Sequence, residues 1–387
     1  MKTLSLLVVV YHYDEELLTP DELLARYSTI HPVTKSLREL GATLTVFQRF
    51  HTDASFERDG VAYRFFCDSC PPPLGKWQIP WKFHQAIKNS CDTTTPTVLH
   101  LHGLFYPLQL ATLKSVLPNS CVITVQHHAE HPWRKPFGII QRRGLKVADG
   151  FFFAAKELAT QWIERGIISS QQPIFPIMEG STKFTFKSRA ECRAVTGMSG
   201  SPVLLWVGRL IKLKDPLTVL RGFDRILERF PHARLYMAYH QPELLADVQA
   251  EIAARPKLRN AVVLLGQVPH AELEMIYNSA DYFVLGSHYE GSGFALAEAM
   301  ACGVVPVVTD IPSFRTMTGQ YSIGGGWTPG DATSFAEKFL QVSQQRLDDT
   351  SKSTVKFFQE HLSYSAIARA SVAAFHELLA SHSGARS

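Results

Sequence analysis

The sequence predicts an α/β chain made of two doubly wound, Rossmann-like parallel-sheet domains facing across a cleft. Three observations carry that prediction. At 387 residues the chain is too long for one core and suits two of roughly 180 residues each. Apolar, β-branched runs alternate with helical patterns over most of its length. Strands joined by helices in this way form a parallel sheet covered on both faces. Finally, the alternation lapses once, across residues 179–201, where Gly, Ser, Thr and charged residues gather. The expected domains are therefore residues 1–178 and residues 179–362, with a last helix over 363–387 able to pack back on the first domain.

The strand candidates in the first half are residues 4–10, 43–47, 61–66, 97–101, 122–125, 150–153 and 173–176. Helical patterns fall between most of them, including 21–40 and 155–165. In the second half the strands are 203–207, 233–238, 261–265, 281–285 and 304–308, with helices over 215–229 and 293–302 and a final one over 363–381. In such sheets ligands bind beyond the carboxyl ends of the strands, so the cleft between the domains is the expected site.

Composition narrows the functional classes. A hydrophobic fraction of 45% is globular. No segment approaches the ~20 apolar residues of a membrane span, and a net charge of +4 is too mild to argue for nucleic acid. The first residues, MKTLSLLVVVYHYDEE, read as a buried strand rather than a signal peptide, because acids follow at once and no small-residue cleavage site is present. Of the six cysteines only Cys67 and Cys70 form a Cys-x-x-Cys, with no second pair to complete a zinc site. Reduced, mostly structural thiols and a cytoplasmic protein are expected, membrane association being left open.

The most informative run is HYEGSGFALAEAMACGVVPVVTD. It carries Glu290 on a loop and Glu298 on the helix that follows. Between them, Gly291, Ser292 and Gly293 let backbone amides approach a ligand at a helix N-terminus. Such a terminus favours anions. A phosphate on the amides, flanked by two carboxylates that accept from hydroxyls, describes a sugar nucleotide. Upstream, VGRLIKLKDP places Gly208, Arg209 and Lys214 after a strand and before the helix that Pro216 opens. Arg209 can grip a diphosphate in bidentate fashion while Lys214 adds a point charge.

VGRLIKLKDP, GQVPHAELEMIYNSADYFVLGS and the Glu-x7-Glu run EGSGFALAEAMACGVVPVV, over about residues 203–309, together resemble the donor domain of a retaining glycosyltransferase of family 4, with the GT-B fold. The resemblance implies that Arg209 and Lys214 bind the donor diphosphate and stabilise it as it leaves. It implies that Glu290 touches hydroxyls of the transferred sugar, and that the amides of Gly293, Phe294 and Ala295, beside Ser292, cradle sugar and phosphate. Glu298 would hold the ribose, and the base would lie against Gln267 and Val268. It also implies a histidine near the reacting sugar at the end of the strand over 122–126. His127 fits best, with His128 adjacent. No metal or other cofactor is expected; the nucleotide-diphosphate sugar is a co-substrate.

The first half departs from the family in one respect. Members commonly carry a Gly-Gly loop after the first strand, whereas this chain has no glycine until Gly41. Tyr11, His12 and Asp14 either replace that loop or serve packing and solvent. The histidines of HLHGLF and TVQHHAEH at two strand ends read as satisfied loop groups, as sugar-positioning groups or as mimics of metal ligands. A basic stretch, WRKPFGIIQRRGLKVAD, holds Arg134, Lys135, Arg142, Arg143 and Lys146 among Phe137, Ile139, Ile140 and Leu145. It reads as a helix with a solvated cationic side or as a face for anionic lipid.

The expected function is metal-independent, retaining transfer of a sugar from a nucleotide-diphosphate donor to an acceptor hydroxyl. The acceptor is a glycan, a lipid carrier or a small metabolite. A sugar-nucleotide epimerase or hydrolase of the same fold, and a non-catalytic sugar-nucleotide-binding protein, remain the alternatives.

Overall fold

The computed structural model describes residues 4–67, 77–91 and 95–384. It divides into two compact units, Met1–Gly180 with Tyr364–Ser387, and Ser181–Ser363. Cys67, Cys91, Cys121, Cys192 and Cys302 are free thiols; Cys70 lies outside the described residues.

In the first unit the chain runs β1 (Ser5–Val10), α1 (Pro20–Arg26), α2 (Ile30–Glu39), β2 (Thr43–Phe50), β3 (Ala54–Arg58) and β4 (Val61–Cys67). It continues through α3 (Trp81–Asn89), β5 (Thr97–His102), α4 (Pro107–Val116), β6 (Val122–Gln126), α5 (Phe137–Leu145), β7 (Gly150–Phe153), α6 (Thr160–Glu164) and β8 (Ile174–Pro176). The sheet order is β3-β4-β2-β1-β5-β6-β7-β8, parallel except at the β3–β4 hairpin. Strands 5–10, 97–102 and 122–126 are buried almost throughout, as sheets with both faces covered require.

Two local features differ from the sequence reading. The single helix expected over 21–40 is two helices, broken at Tyr27–Thr29. A continuous helix would set the Pro32 ring against the carbonyl four residues earlier and remove an N–H. The break moves Pro32 into the first turn of α2, where its missing donor costs nothing. Strand β3 was not expected; it is turned back onto β4 by Asp59 and Gly60, both at positive φ (52° and 72°).

The second unit runs α7 (Arg189–Thr196), β9 (Val203–Arg209), α8 (Pro216–Arg229), β10 (Arg234–His240), α9 (Leu245–Ala254), α10 (Pro256–Ala261) and β11 (Val262–Gly266). Then come α11 (His270–Ser279), β12 (Tyr282–Leu285), α12 (Phe294–Ala301), β13 (Val305–Thr309), α13 (Pro312–Met317), β14 (Gly325–Trp327), α14 (Ala332–Val342) and α15 (Leu347–His361). Its six strands, ordered β11-β10-β9-β12-β13-β14, are all parallel. The last helix, α16 (Tyr364–Gly384), belongs to the first unit. There Phe375 stacks on Phe152 at 5.4 Å and sets its ring edge against His100.

Helix α7 lies where the sequence shows no periodicity, because only Cys192 on it is buried. Charge and caps hold it instead of an apolar stripe. The Ser188 hydroxyl accepts from the Glu191 amide, and Gly197 closes the other end in the left-handed region. Arg193 donates to Asp281 Oδ2 at 2.8 Å and Arg189 pairs with Oδ1 at 3.1 Å. Asp281 also accepts from the Val203 amide at 2.7 Å, so one buried carboxylate ties α7 to the starts of β9 and β12. Asp281→Ala leaves both guanidinium groups and that amide short of an acceptor. Its expected cost is about 2–3 kcal/mol, read from the denaturant midpoint of the unfolding transition; a loss below ~0.5 kcal/mol would make the clip incidental.

Candidate functional site

In the second sheet β10 lies on one side of β9 and β12 on the other. The chain order reverses there, and such a switch point opens a crevice at the carboxyl ends of the strands. The motif residues leave from this edge. Gly208 and Arg209 end β9, a 3-10 turn at Lys212–Lys214 follows, and Asp215 caps α8. Asp215 takes a left-handed backbone (φ 41°) and accepts from the Thr218 amide at 3.2 Å. From the neighbouring strand, residues 286–293 lead into α12.

The two loops are stitched together. The His288 amide donates to the Leu213 carbonyl at 2.9 Å, and His288 Nε2 lies 3.1 Å from Asp215 Oδ2. Gly286 makes this approach possible: a Cβ there would stand 2.8 Å from the Asp215 carbonyl oxygen. Across the seam Lys214 Nζ pairs with Glu290 Oε1, both side chains being nearly buried. The Ser287 hydroxyl donates to the same oxygen at 2.7 Å, and Ser313 donates to the Glu290 carbonyl at 3.0 Å. The sequence treats Lys214 and Glu290 as separate ligand groups; the structure joins them. Glu290 Oε2 keeps no hydrogen-bond partner, and Arg209, half-buried at the end of its strand, has none either among the described residues.

Gly293 caps α12 from the left-handed region (φ 63°), and a Cβ there would meet Met317 Sδ at 2.8 Å. The amides of Gly293, Phe294 and Ala295 have no acceptor among the described residues; the first bonded one is Leu296, to the Gly293 carbonyl. Ser292 is half-buried beside them. The bare helix start and the unpaired guanidinium leave from the carboxyl ends of neighbouring strands, and each by its own chemistry favours an anion.

Glu298, one turn into α12, is 9% exposed. The Tyr277 hydroxyl donates to its Oε2 at 3.0 Å, and His270 Nε2 lies 2.7 Å from its Oε1. Burial, then the Glu298 charge, pushes Tyr277 well above the usual tyrosine range, so it stays a donor. His270 opens α11 two residues after Val268 and stacks on Phe184 at 5.0 Å. Thus Val268, half-buried, and Gln267, exposed, lie beside the Glu298 pair. Neither His270 nor Tyr277 is named by the sequence reading. His270 does stand in the VPHAEL part of a quoted motif, but nothing local shows that it faces Glu298 across 28 residues.

In the first unit the carboxyl edge gathers histidines. His128 Nδ1 pairs with Glu179, and His128 Nε2 lies 3.0 Å from His102 Nδ1. Burial holds His102 and His127 down to about 4 and drives His100 and His128 well below the ordinary range, so these rings are neutral at pH 7. His127 has no exposed side-chain surface and stacks on Phe153 at 4.4 Å. Its Nε2 donates to the Glu130 carbonyl at 2.9 Å, which leaves Nδ1 as an acceptor without a partner. His128 keeps 31% of its side-chain surface. Glu130, raised by desolvation, accepts from the Leu104 and His128 amides and ties the ends of β5 and β6 together. Tyr11 is buried, its hydroxyl 2.7 Å from His84 Nε2, while His12 is exposed and Asp14 accepts from Tyr27 at 3.3 Å. Among the described residues no group of three or more His, Cys, Asp or Glu could hold a metal ion. No described helix is long and apolar enough to cross a membrane.

The His270–Glu298 contact is pH-dependent. Its hydrogen bond with Glu298 raises His270 above the ordinary 6.5. The stabilisation is therefore fully present below 6.5 and fades as pH rises through the raised value. An NMR titration is expected to place the imidazole above 6.5 and to return it there in Glu298→Gln; an unshifted wild-type ring would dissolve the pair.

Known proteins fit this geometry. Residues 188–357 match the family described as glycosyl transferases group 1. Mannosylfructose-phosphate synthase of Agrobacterium fabrum is 36% identical over 128 residues, covering 32% of this chain and 28% of that protein. D-inositol 3-phosphate glycosyltransferase of Thermobifida fusca is 35% identical over 147 residues, covering 35% and 32%. The chain thus matches about a third of the length of these curated relatives. Over almost its whole length it superposes on the Anabaena protein HepE, solved in complex with UDP, with a TM-score of 0.69 at 12% identity, covering 96% of this chain and 100% of that one. The similarity to the group 1 glycosyl transferases thus covers residues 188–357, and the two parallel-sheet units have the architecture of a GT-B fold.

Proposed function

We propose that the chain is a retaining glycosyltransferase that moves a sugar from a nucleotide-diphosphate donor to an acceptor hydroxyl. The observation that carries this reading is the unpaired half-buried Arg209 on the same sheet edge as the three unpaired amides of α12. A half-buried guanidinium and a bare helix start both favour an anion, and a diphosphate has the charge and reach to meet both. The match to group 1 glycosyl transferases and the UDP held by HepE support the same donor chemistry. So do the names of the two relatives, a mannosylfructose-phosphate synthase and a D-inositol 3-phosphate glycosyltransferase.

As the bond from the anomeric carbon to the β-phosphate oxygen breaks, its electron pair passes to the phosphate. Arg209, Lys214 and the α12 amides face that growing charge, where fixed donors act most strongly. Glu290 Oε2 accepts from a sugar hydroxyl while Oε1 holds Lys214 in place. Glu298 takes the ribose hydroxyls in competition with His270, and Val268 borders the base. The acceptor oxygen bonds to the anomeric carbon from the face the diphosphate leaves, and its proton passes to the leaving phosphate oxygen. Glu290 Oε1 is engaged by Lys214 and Ser287 and Oε2 is assigned to a sugar hydroxyl, so the mechanism uses no covalent intermediate on it. His127, expected near the reacting sugar, is fully buried, while the adjacent His128 keeps 31% of its side-chain surface and is the better-placed ring to meet a hydroxyl. With two fixed cations meeting the phosphates, the reaction is expected to survive chelation of divalent ions.

Purified protein is to be titrated with UDP, GDP and ADP, then assayed with the matching sugar nucleotides and acceptor hydroxyls, with the product anomer read by NMR. Arg209→Ala or Lys214→Ala is expected to lower turnover by about 10²–10³ with the fold intact. Wild-type turnover in both variants, or an inverted anomer, would defeat the mechanism. Donor breakdown that ignores the acceptor would favour a hydrolase or epimerase.

A further inference from the structure

Helix α5 and the loop before it carry a surface that the donor chemistry leaves unused. Arg134, Lys135, Phe137, Ile139, Arg142, Arg143 and Lys146 are all exposed. Ile139, Arg142, Arg143 and Lys146 stand at i, i+3, i+4 and i+7, which is one face of a helix. The opposite face is fixed inward. Gln141 is fully buried, accepts from the Trp133 amide at 2.8 Å and donates to the Leu104 carbonyl at 3.1 Å; Gly144 and Leu145 are buried with it. The cationic face is therefore held outward by packing and is not a chance orientation of a loose segment.

None of the five cations has an ion pair or hydrogen bond from its charged group among the described residues. The acids that flank the stretch are turned elsewhere. Glu130 accepts from two backbone amides, and Asp149 accepts from the Ile123 amide at 2.7 Å and pairs with His382. Ile139 shares the cationic face, while Phe137, in the first turn of α5 and four residues before Gln141, belongs to an exposed apolar cluster at the start of the helix. Phe137 is 52% exposed, Ile139 50%, Phe105 39% and Leu108 36%. Trp133 stacks on Phe105 at 5.8 Å, and Trp77 bridges Trp133 and Phe137 at 5.4 and 6.1 Å.

We infer that this face docks on an anionic phospholipid surface, with Phe137 and Ile139 entering the acyl boundary and the five cations meeting lipid phosphates. The charge complementarity is specific to this segment, since the chain as a whole carries only +4. A soluble acidic partner would neutralise the cations yet leave the aliphatic and aromatic groups without an apolar medium. A bilayer interface satisfies both, and tryptophan beside arginine is the composition that suits its headgroup layer. The inference is independent of the donor reading, because no residue in it belongs to the second unit.

The test is sedimentation of the full chain with mixed phosphatidylcholine–phosphatidylglycerol vesicles and with pure phosphatidylcholine vesicles. Binding is expected to the mixed vesicles alone and to fall as salt is raised. Arg142→Ala, Arg143→Ala and Lys146→Ala together should weaken it by about a hundredfold, roughly fivefold for each cation. Phe137→Ser with Ile139→Ser should weaken binding while leaving its salt dependence in place. All these positions are exposed, so the melting temperature should not move, and nucleotide binding should be that of the parent. Equal binding to both vesicle types, no binding to either, or a dimer that Ile139→Ser dissolves would each overturn the inference.

Discussion

Gly286 carries no side chain, and the meeting of the two donor loops depends on that. The chain leaving β12 passes so close to the turn before α8 that a methyl group would press on the Asp215 carbonyl at 2.8 Å and on Val219 at 3.2 Å. Given the approach, the rest of the seam can form: His288 reaches Leu213 and Asp215, and Glu290 reaches Lys214. Parallel strands bring their carboxyl ends to one edge, but topology alone sets loops near each other only to within several ångströms. The missing side chain and the ion pair turn that nearness into fixed positions.

The Lys214–Glu290 pair also explains how a cation can wait in a nearly buried site without ligand. An unpaired ammonium there would be expensive to desolvate or would lose its proton. Glu290 supplies the counter-charge through one oxygen and keeps the other open. Lys214 retains two N–H donors for a phosphate. Arg209 waits differently: it is half-buried and its charge is delocalised and weakly hydrated, so partial exposure to water suffices until an anion arrives. Two cations, one prepaired and one bare, thus keep positive charge at this edge without an unpaired ammonium in a buried place.

The sequence was legible wherever a side-chain type and its spacing directly set the local structure. Each buried parallel strand expected between residues 4 and 308 is present within one to three residues at its ends, because near-continuous apolar runs have no other use in a covered sheet. The helix start at Gly293 and the cations after β9 were equally readable. Helix α7 was not, since its only buried side chain is Cys192 and its anchor, Asp281, lies far along the chain. Strand β3 was readable but passed over: Asp59–Gly60 is a hairpin signal of the strongest kind, yet the strand it turns is mostly exposed and polar. The partners of Glu298 were out of reach for a third reason. His270 and Tyr277 sit on a different helix, and no periodicity within α11 states which neighbouring helix it faces.

The two units differ in how far their histidines and acids are committed, and this bears on where chemistry can occur. At the donor edge of the second unit, the groups aimed outward retain unused bonding capacity: one carboxylate oxygen, one guanidinium and three amides. At the corresponding edge of the first unit, Glu130 and the pair His102–His128 spend theirs on each other and on the backbone. His127 and His51 each keep a buried ring nitrogen without a partner there, and that of His127 is the neutral acceptor rather than the donor. The unspent bonding capacity therefore lies with a guanidinium and bare amides in the second unit, whereas the first unit sets neutral, desolvated rings at its edge, which offer an anion no counter-charge.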